Sequence, residues 1–174
     1  DAAKAIAVMA ANDGDYWDYV SGGTGKGKVM AHKPIPVVAI TTTAGTGSET
    51  DPWAVVTHEV NHEKIGIGND DMFPFLAVVD PELMTSVPPK LTAYQGFDAL
   101  FHSVEGYVSK GFNLMSDMYA LTAIENISRN LPRAVKNGKD IAARERVAFG
   151  NTLSGLVESV GLCTSQHSLE HAKI

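Results

Sequence analysis

The chain has 174 residues, 44% hydrophobic and 20% charged, with a formal net charge of −6. This length suits one domain with a true core or two partial ones, and the acidic balance argues against a nucleic-acid partner, which needs a basic surface. A single cysteine permits no internal disulfide, no apolar run reaches membrane-spanning length and no signal-peptide pattern opens the chain, so a cytoplasmic protein with no membrane partner is expected.

Residues 2–12 are Ala-rich and predict a helix closed by Asn12-Asp13-Gly14. Residues 15–30 read as a loop. Within it, Gly22 to Lys28 superficially resembles a phosphate-cradling loop, but Val29 stands where a Ser or Thr is needed and no strand precedes it, so a surface turn is expected. Pro36 to Thr43 is a β-branched run suited to a strand buried on both faces, followed by a tight turn over Ala44 to Ser48. Ala54–His58 and Glu63–Ile67 flank Asn61 as a hairpin, and Phe75–Asp80 is a second buried-strand pattern. After Pro88-Pro89 the pattern turns helical. Helices are predicted from Thr92 to about Lys110, with a possible break at Gly96, and from Asn113 to Arg129, ending before Leu131-Pro132. Two more follow, from Asp140 to about Leu162 and from Ser165 onward. Strands followed by helices predict two parts, 1–87 and 88–174. The chain opens without Met inside one helix and stops inside another, which reads as a segment of a longer protein.

Asp98 and His102 stand four residues apart, as do His167 and His171. Positions i and i+4 share a helical face, so two helices each offer a pair of metal-capable groups. Carboxylate oxygen with imidazole nitrogen suits Fe, Zn or Mn, and thiolate ligation is set aside because Cys163 is the only cysteine. Glu105 extends the Asp98–His102 stripe to i+7. Such a stripe is usually a solvated face, but close apolar neighbours favour burial, where charges need partners or a metal. At the end of the first strand, Thr41 to Ser48 places hydroxyls and backbone N–H groups where open α/β sheets bind ligands, although Thr and Gly also suit a strand and turn with no ligand.

In order and spacing, these stretches resemble the iron-containing (group III) alcohol dehydrogenase family. The resemblance rests on Ala39 to Glu49, Val79 to Met84, Pro88-Pro89, Gly96 to Tyr107 and Gln166 to His171; Asp1-Ala-Ala-Lys4 matches residues just after the family's glycine-rich turn. It implies an α/β part followed by an all-helical part, namely the end of a Rossmann-like nucleotide-binding domain and the first half of a metal-binding domain. It implies Asp98, His102 and His167 as metal ligands, with a further histidine expected beyond Ile174. It implies His171 beside substrate and nicotinamide, and Thr42, Thr43, Gly45, Thr46 and Lys64 at the cofactor. The activity implied is hydride transfer between a primary alcohol or aldehyde and NAD or NADP, with a divalent metal as Lewis acid. Fe2+ is expected, with Zn2+ as the alternative, in a homo-oligomeric full-length protein. Two other readings stand beside it: a metal- and NAD-dependent lyase of the dehydroquinate synthase type, and a segment inactive by itself.

Overall fold

The computed structural model describes residues 1–111, 113–161 and 163–172. Helix α1 spans Ala2–Ala11, and four strands follow: β1 Val38–Thr41, β2 Trp53–His58, β3 Glu63–Gly68 and β4 Leu76–Val79. Helices α2 Pro89–Val108, α3 Leu114–Lys136, α4 Ile141–Glu158 and α5 Ser165–His171 complete the chain. The short α/β part is thus followed by helices, as the pattern of residues predicts.

The hairpin forms as expected, with β2 and β3 antiparallel and Trp53 opposite Gly68. It packs with α1 and Trp17 around a first core that includes Val8, Val20, Ala54 and Met72. Gly22 to Gly25 form a surface turn closed by the Gly25 N–H donating to the Gly22 carbonyl, and the backbone N–H of Thr24 donates to the Glu63 carboxylate at 3.0 Å, so this turn already holds an acid of its own chain.

Strands β1 and β4 pair in parallel, Val38 opposite Leu76 through Thr41 opposite Val79. Contrary to the sequence expectation, they are not buried on both faces. Val38, Ile40 and Leu76 are at least half exposed. Parallel strands are normally covered by helices on each side, and among the described residues no layer covers these. The apolar composition is that of a buried strand, and among the described residues it stays partly uncovered.

Helices α2, α3 and α4 pack mutually around a second core containing Met84, Ala99, Ile127, Leu131 and Val147, which Ala44 also joins. Two boundaries depart from expectation. Helix α2 runs unbroken through Gly96; a Cβ there would meet Leu131 Cδ1 at 2.2 Å, so the glycine serves the close approach of α2 and α3 rather than a break. Helix α3 continues through Pro132 to Lys136. A mid-helix proline forfeits a backbone hydrogen bond and costs about 3 kcal/mol. Burial of Leu131 and Ala134 on either side offsets that cost. The predicted end of the third long helix at Leu162 lies outside the described residues, and α4 closes at Glu158.

Asn113 starts α3 with a reciprocal cap. Its Oδ1 accepts from the N–H groups of Met115 and Ser116, and its own N–H donates to Ser116 Oγ at 2.8 Å. Asn113→Ala is expected to lower stability by about 1–2 kcal/mol, seen as a lower urea midpoint with an unchanged slope. An unchanged midpoint would show that the cap contributes nothing.

The turn after β1 is held by α4. Gly47 has φ +64°, and a Cβ on it would lie 2.6 Å from Gly155 Cα. Asn151 Oδ1 accepts from the Gly47 N–H, and Asn151 Nδ2 donates to Glu49 Oε1. The residues after the first strand are thereby fixed against the helical half.

Candidate metal centre and cofactor cleft

One face of α2 carries Asp98, His102 and Glu105 toward α5, as their i, i+4, i+7 spacing dictates. His102 and Glu105 are buried, and so is His167 on α5. Asp98 Oδ1 lies 3.8 Å from His102 Nε2 and 3.4 Å from His167 Nε2. The two imidazoles stack with centroids 4.3 Å apart and planes 12° apart. Donors on one ion with bonds near 2.1 Å lie roughly 3–3.5 Å apart, so Asp98 is within reach of sharing an ion with either imidazole. The donor groups whose atoms all lie within 4.8 Å of one another are His102, Cys163 and His167, and Asp98, His167 and Glu170.

Helix α5 has only seven residues and gets no side-chain cap from Thr164, its N-cap residue. Glu105 caps it instead. Its carboxylate accepts from the Thr164 N–H and, at 3.2 Å, from the His167 N–H. Glu105 Oε2 also lies 3.2 Å from His167 Nδ1, leaving Nε2 to face Asp98. A carboxylate behind a ligating imidazole is a common way to fix the ring's orientation. His102 is less well supported. Among the described residues no acid stands behind its ring; the Gly45 backbone lies close enough to favour its protonation, and its buried Nδ1, like that of His167, has no partner in hydrogen-bonding geometry.

The electrostatics follow the packing. Burial raises the Asp98 pKa, but the hydrogen bond with His167 and the charge of His102 outweigh it and hold the carboxyl below its usual range. Burial lowers the pKa of His167, but Asp98, Cys163 and Glu105 together push it up to about 11. Burial, then the His167 charge, lowers that of His102 despite the opposing pull of Asp98. Burial is also the leading cause of the lowered pKa of His171, followed by the Lys64 charge. Without an ion, a proton on His167 compensates the acids around it. A divalent ion would supply that positive charge, and a carboxylate with two imidazoles is a suitable donor set for it. The residues present therefore fit such an ion.

A cleft of about 300 Å³ joins these groups to the first half of the chain. Thr46, Lys64, Asp98, His102, His167 and His171 all line it. Lys64 pairs with Glu170 across it. Thr42 and Thr43 are not among its lining residues, and Gly45 is buried against Gln95 of α2. Glu158, Cys163 and Glu170, to which the residue pattern assigned no role, line the cleft too, and Glu105 stands behind it against His167. Glu105 alone carried a signal, its place on the Asp98–His102 stripe. Cys163 lies among the imidazoles, with one ligand atom each of His102, Cys163 and His167 within 4.8 Å of one another.

Comparison with known proteins decides the family. The profile for iron-containing alcohol dehydrogenases matches residues 1–81, and that for the C-terminal part of the Fe-containing alcohol dehydrogenase family matches residues 92–173. The chain belongs to the iron-containing alcohol dehydrogenase family. It is 44% identical to the NAD-dependent methanol dehydrogenase of Bacillus methanolicus over 98% of its own length and 44% of that protein's. It is 36% identical to the 1,3-propanediol dehydrogenase of Citrobacter freundii, covering 98% of this chain and 43% of that one. Among solved structures it superposes with a TM-score of 0.86 on sulfoacetaldehyde reductase from Bifidobacterium kashiwanohense in complex with NAD+. That match has 38% identity and covers 95% of this chain and 43% of the other. An iron-containing alcohol dehydrogenase from Thermotoga maritima gives a TM-score of 0.85 at 36% identity, over 97% and 44%. The chain thus spans less than half the length of the relatives it matches. These relatives favour alcohol oxidoreduction over the lyase reading.

Proposed function

We propose that this chain supplies the metal-binding face and part of the cofactor cleft of an alcohol dehydrogenase acting on small primary alcohols or their aldehydes. The observation that carries the reading is the convergence of Asp98, His102 and His167 in the cleft that Thr46, Lys64 and His171 also line. Asp98, His102 and His167 hold the divalent ion, Fe2+ or alternatively Zn2+. Residues 1–87 belong to the nucleotide-binding part and residues 88–174 to the helical part. When bound, the ion supplies Lewis-acid polarisation of an alcohol or carbonyl oxygen, and NAD or NADP supplies the hydride acceptor or donor.

The chain's own residues orient these groups. Glu105 fixes the His167 ring, and the Thr46 hydroxyl and Lys64 ammonium face the cofactor side. Burial, followed by the Lys64 charge, disfavours the protonated form of His171, so the ring can accept a hydroxyl proton at a nitrogen. Cofactor and metal groups must adjoin for hydride transfer, and the shared cleft supports that arrangement.

Two measurements test this. Asp98→Ala is expected to weaken binding of Fe2+ or Zn2+ by more than about a hundredfold, since loss of even an outer partner typically costs 10–100-fold. The full gene product carrying this segment is expected to reduce NAD(P)+ in the presence of ethanol or 1,3-propanediol only when loaded with metal. The 174-residue segment alone is expected to show no such turnover. Unaltered metal affinity in Asp98→Ala, or alcohol oxidation by the fully chelated enzyme, would overturn the reading.

A further inference from the structure

A second set of donors overlaps the first. Single ligand atoms of His102, Cys163 and His167 all lie within 4.8 Å of one another. The two imidazoles of this set are more than nine-tenths buried and stacked, and Nδ1 of each lacks a partner in hydrogen-bonding geometry. Cys163 is exposed, on irregular backbone between the end of α4 and the start of α5. Its Sγ lies 3.7 Å from Glu158 Oε1, and it interacts with the His167 ring.

We infer that Cys163 is a sulfur donor to this metal centre and biases its choice of ion. The inference rests on the reading of Asp98, His102 and His167 as the metal centre. Sulfur and nitrogen donors on one tetrahedral ion lie roughly 3.5 Å apart, so the cluster needs closure by about 1 Å. The donor that must move most freely is the exposed one outside any helix, while the buried imidazoles are fixed by packing and, for His167, by Glu105. Adding a soft thiolate to the carboxylate and imidazole donors, the histidine expected beyond Ile174 included, shifts preference toward zinc. The oxygen-and-imidazole set alone also suits ferrous iron or manganese. Cys163 therefore acts on metal selectivity, in a family defined by iron.

Cobalt gives a readout independent of turnover. Co2+ added to the metal-free protein should produce visible ligand-field absorption together with a sulfur-to-cobalt charge-transfer band in the near ultraviolet. Cys163→Ser should abolish the near-ultraviolet band and keep the visible one. It should weaken zinc binding by at least about tenfold while changing Fe2+ affinity less than about threefold. Zinc should also slow alkylation of the wild-type thiol by iodoacetamide. Bound cobalt with no charge-transfer band, or identical spectra for wild type and Cys163→Ser, would overturn the inference and leave the metal centre standing. A charge-transfer band that survives in Asp98→Asn with undiminished affinity would support the sulfur donor and overturn the Asp98 assignment. Failure of the wild type to bind cobalt at all would overturn both.

Discussion

Lys4→Met is expected to destabilise the protein by about 3–5 kcal/mol, the usual cost of stranding one member of a buried ion pair. Lys4 and Asp51 are 3% and 2% exposed, and their charged atoms are 3.0 Å apart. The Lys4 ammonium also donates to Ser48 Oγ and to the carbonyls of Asp51 and Trp53. Burial moves both groups against their charged forms, lowering the pKa of Lys4 and raising that of Asp51, and their attraction only partly opposes it. The pair as a whole therefore adds little net stability, yet either partner alone is costly. The double variant Lys4→Met/Asp51→Leu should be less damaging than the sum of the singles. Urea unfolding of all four proteins checks this. A single variant within about 1 kcal/mol of wild type, or strictly additive losses, would show that the two charges are not coupled.

Glu158→Gln should stabilise the metal-free protein increasingly as pH rises. Burial, with Asp51 and Asp98 nearby, pushes the Glu158 carboxyl up to about 8 from an ordinary value of 4.5. Below pH 4.5 the acid is neutral whether folded or unfolded and contributes no difference. Between 4.5 and 8 the unfolded chain ionises while the folded one stays protonated, so stability falls with pH across that window and is level above it. At about 1.4 kcal/mol per pKa unit, glutamine should gain roughly 3–5 kcal/mol over the native residue at pH 8 and almost nothing at pH 4. Denaturation in the presence of a chelator at several pH values measures the gap. A gap that does not change with pH would rule out a protonated Glu158.

The sequence carried the local part of the site plainly. Helical spacing placed Asp98 and His102 on one face, and the hairpin and the strand-to-turn segment were legible from alternation and glycine. Long-range contacts left no periodic trace. The Lys4–Asp51 pair joins residues 47 apart, and Glu105 reaches a helix start 59 residues away. Pro132 misled for the opposite reason, since a strong local signal was overridden by burial on both sides of it. The exposed faces of β1 and β4 show a third limit, because apolar composition reports the environment a strand is suited to rather than what the chain places beside it.

The Glu105 carboxylate ties the backbone at the start of α5 to the ring of His167. An isolated seven-residue helix is too short to persist in water, since nucleation costs more than so few turns return. Orienting the imidazole and winding the helix are consequently a single cooperative event. The same winding brings Glu170 to Lys64 and His171 to the cleft. This wall of the cleft is thus assembled in one step, and an ion bound by His167 would contribute its binding free energy directly to the folding of that wall.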